Sequence, residues 1–167
     1  MPPPIDAVPQ PTIARLPGVE WPEDHMTYEE WEPTVPKSLT SDTLWKVMAY
    51  RLALYSGVIG LEDVALLAAH PRGKSMVDQL ERAVTSISSD IAEGYSRRFR
   101  KEKNHFYDYA IGSAREARDR YFKARIVLPA DLVDARLDTL TQVVKLVTVM
   151  VARDRRKRRE EKERGES

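Results

Sequence analysis

Between residues 40 and 152, apolar side chains recur every three or four positions, which is the spacing of helices that bury one face. The clearest case is the second apolar segment, whose members follow each other in the order Val77, Leu80, Val84, Ile87 and Ile91. Breaker residues separate four such segments. The pattern therefore predicts an all-α fold, an antiparallel up-down four-helix bundle that occupies residues 38–152.

Capping and breaking residues set the expected helix boundaries. The first helix is predicted to begin at Thr40 or Ser41, which are good N-caps, and to end before Pro71. The second is predicted to open at Ser75 and to stop at Gly94, a residue type that favours the position after a helix end.

The third helix is predicted from about residue 97 to residue 127, and the fourth after Pro129 with Asp131 as its cap. The inner stripe of the third helix is expected to consist of Phe106, Ala110, Ser113, Ala117, Tyr121 and Ala124. The fourth helix carries its seam at Leu132, Leu140, Val144, Val147 and Val151. Val143, Leu146 and Met150 widen that seam, which favours burial against another chain, so they are predicted protein-interface residues.

Residues 1–37 form a proline-rich acidic leader that is predicted to be extended or coiled. Nine of the eleven prolines of the chain lie in residues 1–36, and proline disfavours helix both at its own position and before it. Trp21, Tyr28 and Trp31 are unusual in a fully solvated tail, and they are predicted to dock on a protein surface, either of this bundle or of a neighbour. The alternative is a solvated leader with incidental aromatics.

Charge is distributed unevenly along the chain. Residues 1–40 hold two basic and seven acidic side chains, whereas the net charge of the whole chain is +1, so the remainder is basic. Residues 153–167 are predicted to form an arginine-rich charged tail, a fraying helical extension of the fourth helix, because the apolar seam stops before Arg153.

Several classes of function are disfavoured by what the chain contains. Cysteine is absent, which excludes disulfides and thiolate metal sites. No phosphate-binding glycine loop, zinc-protease motif or plausible catalytic triad is present, so we expect no enzyme activity, cofactor or metal. The first residues lack the features of a secretory signal, and no apolar run is expected to span a membrane, which favours the cytoplasm and no membrane partner.

Basic residues supply the main functional hypothesis. They cluster at the start of the third helix with Tyr95 and Phe99 interleaved, continue along that helix, and end in the C-terminal extension. Arginine binds phosphate in a bidentate manner and aromatic faces stack on bases, so these residues are predicted to bind nucleic acid. The predicted nucleic-acid-binding residues are Arg97, Arg98, Arg100, Lys101, Lys103, Arg115, Arg118, Arg153, Arg155, Arg156, Lys157, Arg158 and Arg159. On the third helix, neighbouring acids leave a solvated face as an equal alternative.

The end of the second helix carries a sequence motif that the apolar spacing of a helix does not by itself require. Residues 86–95 read Ser-Ile-Ser-Ser-Asp-Ile-Ala-Glu-Gly-Tyr, and Lys101, Glu102 and Phe106 follow. This segment resembles the signature of a bacterial four-helix-bundle family that includes the intervening-sequence proteins encoded within large-subunit ribosomal RNA genes. Two positions depart from that signature, since Ser88 replaces a proline and Asp90 replaces an asparagine. The first change is expected to leave the helix straighter.

The resemblance implies a homo-oligomer, with a pentamer favoured. It also implies kinship with the accessory variability protein of diversity-generating retroelements, which works with a reverse transcriptase and its template RNA. We therefore expect a non-catalytic, homo-oligomeric, RNA-associated accessory protein that partners a reverse transcriptase or ribonucleoprotein. The alternative is a structural scaffold subunit of a larger protein complex without nucleic acid.

Overall fold

The computed structural model describes residues 25–165, and this part of the chain is helical without strands. Two short α-helices come first, α1 (Tyr28–Trp31) and α2 (Lys37–Thr40). Four long helices follow, α3 (Met48–Ala69), α4 (Val77–Ser96), α5 (Arg100–Ala124) and α6 (Ala130–Glu163). Short 3-10 turns at Glu32–Thr34, Thr43–Lys46 and Lys74–Met76 join them. The predicted all-α bundle of four long helices is confirmed.

The four long helices pack in a square in which α3 contacts α4 and α6, and α5 contacts the same two helices. Residues near the start of one helix meet residues near the end of the next, as with Arg100 and Glu161, so neighbouring helices are antiparallel. Leu80, Val84, Ile87 and Ile91 are fully buried, which confirms the register of the second long helix. In α5, the predicted Phe106 and Ser113 are only half-buried, because Tyr107, Ile111 and Ala114 face the core beside the small residues that were expected there.

Helix boundaries differ from the sequence prediction at several ends. The first long helix begins at Met48 rather than at Thr40 or Ser41, because the Asp42 side chain accepts a hydrogen bond from the Leu44 amide at 2.8 Å and caps a separate 3-10 turn. Val47 then adopts an extended conformation before α3 starts. The second long helix opens at Val77, after the 3-10 turn that contains Ser75, and the fourth follows Pro129, with Asp131 in its first turn rather than at its cap.

Gly94 lies inside α4 and is not its C-terminal cap, which corrects the sequence prediction. A Cβ atom at this position would lie 2.8 Å from the Tyr107 ring and 3.1 Å from the Lys103 carbonyl oxygen. The glycine therefore allows α4 and α5 to approach closely near the end of α4. The same helix runs through Ser88 without interruption, as expected where the proline of the resembling family is absent.

Residues 25–37 fold onto the bundle rather than staying extended or coiled. Thr27 and Glu30 form a capping box that starts α1, and the Tyr55 hydroxyl donates a hydrogen bond to the Met26 carbonyl at 2.6 Å. Trp31 is 5% exposed and packs against Tyr55 and Ile59 of α3, with a ring-centroid distance of 5.5 Å to Tyr55. Trp21 lies outside the described residues.

The predicted interface residues of α6 also lie differently from what the sequence indicated. Val143 is fully buried in the core of this chain, so it is unavailable to another chain, and its assignment as a protein-interface residue is corrected. Leu146 and Met150 are half-buried and pack against the same core. The wide apolar face of α6 has a simpler reason, because both α3 and α5 pack on it.

One buried ion pair crosses the core. Arg136 of α6 donates two hydrogen bonds to the Asp63 carboxylate of α3, at 2.8 and 3.2 Å. The Tyr121 hydroxyl of α5 donates a third at 2.7 Å. Burial raises the pKa of Tyr121 well above its usual value, and the Asp63 carboxylate adds to that shift, so the phenol stays a neutral donor. This cluster joins three of the four long helices.

The expectation that no segment is apolar enough to span a membrane was wrong for α3. Among the described residues, this helix alone is long and apolar enough by length and composition. More than half of its apolar window is buried inside the bundle. A core helix meets the same criterion, so the composition of α3 is explained by its place in the core.

Candidate nucleic-acid interface

The C-terminal part of α6 carries most of the predicted nucleic-acid-binding residues. The helix continues without a break to Glu163, whereas its last core residue is Val151. Residues 152–165 are exposed, apart from half-buried Asp154 and Glu161. The ion pair of Glu161 with Arg100, at 2.5 Å, ties the end of α6 to the start of α5. The extension is therefore held beside the bundle.

An arginine-lined cleft of about 740 Å³ runs between α5 and the extension of α6. We call it the arginine cleft, and its walls consist of Asp108, Ile111, Gly112, Arg115, Thr148, Val151, Ala152, Arg155, Arg156 and Arg159. The members from α6 recur at three- and four-residue spacing, which places them on one face of the helix. A Cβ atom at Gly112 would have nothing within 4 Å, so the cleft is open above this residue.

The charge of the arginine cleft is strongly positive. Its wall holds four arginines and one acid, Asp108. A guanidinium nitrogen of Arg155 lies 3.5 Å from the Asp108 carboxylate, and these side chains are 65% and 51% exposed. Arg156 has a similarly exposed partner in Glu160 at 3.6 Å. Exposed ion pairs of this kind contribute little free energy, so both guanidinium groups can exchange their carboxylate for a phosphate oxygen.

A second basic cleft of about 210 Å³ lies on the opposite side of α6. We call it the tyrosine cleft, and it is lined by Val47, Tyr95, Lys103, Tyr107, Met150, Arg153, Asp154 and Lys157. Burial raises the pKa of Tyr107 to about 12, and the charges of Asp154 and Tyr95 add to the shift. The Tyr95 hydroxyl donates to Thr43 Oγ1 at 3.0 Å, which orients its ring at the cleft.

The remaining predicted contacts lie outside both clefts. Arg97 pairs with Glu93, and its guanidinium lies 4.8 Å from the centroid of the Phe106 ring. Arg98, Lys101 and Arg158 are exposed and line neither cleft. The Nε atom of half-buried Arg118 has no hydrogen-bond partner among the described residues. The structure thus brings seven of the predicted residues into two clefts, whereas Arg97, Arg98, Arg100, Lys101, Arg118 and Arg158 stay apart from them.

Sequence reasoning missed the acidic and small residues of these clefts. Asp108 and Asp154 each stand among cations, and Gly112 leaves the arginine cleft open. The helical spacing of Asp108, Gly112 and Arg115 was a usable signal, because it places all three on one face of α5. Within residues 25–165, no group of three or more histidine and acidic side chains has the arrangement of a metal site.

Asp90 occupies the position where the resembling family has asparagine. It is half-buried, and the Ser113 hydroxyl donates to its carboxylate at 3.4 Å. Burial raises the pKa of Asp90, while the Ser113 hydrogen bond opposes that shift. The position thus contributes to the contact between α4 and α5 and lies in neither cleft.

Comparison with known proteins gives one family. The model of the 23S rRNA-intervening sequence protein family matches residues 66–147, from the end of α3 through α4 and α5 to Val147 of α6. No curated protein and no solved structure matches the chain. The arginine-rich extension of α6 and the segment before residue 66 lie outside the matched region. Residues 66–147 of this chain are therefore similar to the 23S rRNA-intervening sequence protein family.

Proposed function

We propose that this chain is a non-catalytic, homo-oligomeric accessory protein that binds RNA through the arginine cleft. The observation that carries the proposal is the convergence of Arg115 with Arg155, Arg156 and Arg159 across the gap between α5 and α6. The family, whose name refers to 23S ribosomal RNA, supports association with RNA. Both observations favour a binding protein rather than a catalyst.

The geometry of the arginine cleft suits a phosphate backbone. Guanidinium groups keep their charge and offer paired donors that match phosphate oxygens. Their arrangement along two antiparallel helices presents several donors in one groove, and a polyanion can contact them in succession. The acid in the wall, Asp108, lies 3.5 Å from Arg155 on the other side of the cleft.

We further propose that several copies assemble, with five favoured, and that a reverse transcriptase or ribonucleoprotein is the protein partner. Support for five copies and for this protein partner comes from residues 86–95 at the end of α4, which resemble the signature of the four-helix-bundle family. Support for self-association also comes from α3, whose apolar side chains Val58 and Leu61 are 40% and 46% exposed. Light scattering by the full chain at micromolar concentration tests the assembly, and a monomer mass would contradict it.

RNA binding is tested by filter binding with the full chain and a variant that removes the four cleft charges. The variant carries Arg115→Gln, Arg155→Gln, Arg156→Gln and Arg159→Gln. Its matched control carries Arg72→Gln, Lys74→Gln, Arg82→Gln and Lys123→Gln, which remove the same charge at the opposite end of the bundle. All eight positions have exposed side chains, so we expect both variants to fold.

We expect the cleft variant to lose most of its affinity for RNA at low salt and the control to retain most of it. Equal losses in both variants would indicate a diffuse charge effect and contradict the assignment of the cleft. If the unsubstituted oligomer retains no RNA at low salt, the proposed function fails. The scaffold alternative, without nucleic acid, would then be favoured.

A further inference from the structure

The two clefts that flank α6 differ in their surfaces. The arginine cleft is lined mostly by charged and small residues, whereas the tyrosine cleft has an apolar floor of Val47, Tyr107 and Met150. Cations from two helices, Lys103 of α5 and Arg153 and Lys157 of α6, stand at the tyrosine cleft. An apolar floor beside several cations suits a ligand with a flat ring and a phosphate.

We propose that the tyrosine cleft binds one nucleotide of single-stranded RNA, with its base against Tyr95 and its phosphate among Lys103, Arg153 and Lys157. This inference rests on the proposed function, because it specifies that the RNA bound beside the arginine cleft is single-stranded. Each cleft then has its own role. The arginine cleft holds the backbone, and the tyrosine cleft distinguishes an unpaired strand from a duplex.

Tyr95 is suited to stacking because its ring is both reachable and oriented. The residue is 37% exposed near the end of α4. Its hydroxyl is bonded to Thr43 Oγ1 at 3.0 Å, which ties the ring to the turn before α3. Bases in single strands stack on aromatic side chains, whereas bases in a duplex are already stacked and cannot enter a cleft of this size.

Asp154 gives the cleft an acceptor as well as donors. It is half-buried and lines the cleft together with Arg153 and Tyr107. A carboxylate in this position can accept a hydrogen bond from an exocyclic amino group, which cytosine, adenine and guanine carry and uracil lacks. The cleft therefore favours an amino-bearing base over uracil.

The test uses fluorescence anisotropy with the full chain, a short labelled single-stranded RNA and a hairpin duplex of the same composition. Variants are Tyr95→Leu, which removes the ring, and Tyr95→Phe, which keeps the ring and loses only the bond to Thr43. Tyr109→Leu is the matched control, because Tyr109 is an exposed tyrosine that lines neither cleft.

We expect Tyr95→Leu to weaken single-strand binding roughly fivefold to a hundredfold and to leave duplex binding unchanged. Tyr109→Leu should bind both RNAs like the unsubstituted chain. Tyr95→Phe keeps the stacking ring but loses the bond that orients it, so it should weaken single-strand binding less than Tyr95→Leu does. Ultraviolet cross-linking of the unsubstituted chain to the single strand should label the peptide that contains Tyr95. This second readout does not depend on the folding of any variant.

Three results would overturn the inference. If Tyr95→Leu binds the single strand like the unsubstituted chain and no cross-link forms at Tyr95, the tyrosine cleft is not an RNA site. The proposed function would still stand, provided that the variant of the four arginine-cleft residues loses RNA. Equal weakening of single strand and duplex would indicate a structural effect of Tyr95. Tyr95-dependent binding of free adenosine monophosphate as tight as that of the oligonucleotide would make the cleft a mononucleotide site rather than an RNA site.

Discussion

Arg136 and Arg155 lie on the same helix, and each faces one aspartate, but burial gives the two pairs opposite roles. Arg136 and Asp63 are 6% and 2% exposed and are joined by two hydrogen bonds, at 2.8 and 3.2 Å. Arg155 and Asp108 are 65% and 51% exposed and meet at a single distance of 3.5 Å. The buried pair cannot separate without leaving a charge in the core. The exposed pair can separate, because water and phosphate both replace its contacts.

The two halves of α6 therefore have different roles, since the first packs in the core and the second carries exposed cations. Its first half supplies core residues such as Val133, Leu140 and the buried Arg136, which hold it against α3 and α5. Its second half supplies exposed cations to two clefts. A rigid first half gives the second half a defined position, so RNA would meet a charge array that is largely preorganised.

The largest effect on stability is expected when only one partner of the buried Arg136–Asp63 pair is replaced. Arg136→Met leaves the Asp63 carboxylate buried without its cation, and it should lower the free energy of unfolding by about 3–5 kcal/mol. Urea denaturation measures the change. In the double variant with Asp63→Leu, part of the loss should be recovered, because no charge then remains in the core, although the Tyr121 hydroxyl loses its acceptor. A single variant as stable as the unsubstituted chain would contradict the structural role of the pair.

A smaller loss is expected from an apolar core position. Ile87 is fully buried, and Ile87→Ala should cost about 2–5 kcal/mol of stability through lost burial and a cavity. Val149→Ala is the control, since Val149 is 46% exposed, and its cost should stay within about 0.5 kcal/mol. Similar costs at both positions by urea denaturation would show that the register of the bundle is wrong.

The exposed pair should behave in the opposite way to the buried one. Arg155→Gln is expected to change the free energy of unfolding by less than about 1 kcal/mol, because exposed ion pairs are weak. The same substitution should reduce RNA affinity, since it removes one cation of the arginine cleft. Thermal denaturation together with filter binding separates the two effects. A large loss of stability would show that Arg155 supports the fold.

The smallest effect concerns Asp90, where burial is the main cause of a raised pKa. A carboxyl group whose pKa is raised by folding stabilises the fold below the ordinary aspartate range and loses that contribution as the pH rises through the folded pKa. Asp90→Asn should therefore be more stable than the unsubstituted chain at neutral pH, and the difference should vanish in acid. Urea midpoints at several pH values measure it. An advantage that grows as the pH falls would contradict this sign.

The sequence predicted the bundle well where one helix face is apolar and the other polar. The seam of α4 from Leu80 to Ile91 is such a case, because its spacing alone defines its buried face. The start of α3 was missed because Thr40 and Ser41 resemble caps, while the actual turn depends on the Asp42 side chain. Val143 was misassigned because the sequence does not show how many neighbours pack on one helix.

The candidate site was predictable in composition but not in arrangement. The arginines of the C-terminal extension stand out in the sequence, and helical spacing groups them by face. Their partner Arg115 lies on another helix, and only the packing of α5 against α6 brings it to the same cleft. The pair of Asp63 and Arg136 was missed for the same reason, although a lone aspartate within apolar α3 was a signal of a buried partner.

The salt dependence of RNA binding tests the arginine cleft most directly. The logarithm of the binding constant should fall linearly with the logarithm of salt concentration, with about 0.7 in the slope for each phosphate contacted on a single strand. We predict that the variant with Arg115, Arg155, Arg156 and Arg159 replaced loses up to about four such contributions. The control with Arg72, Lys74, Arg82 and Lys123 replaced should keep the slope of the unsubstituted chain. An unchanged slope in the cleft variant would contradict the account.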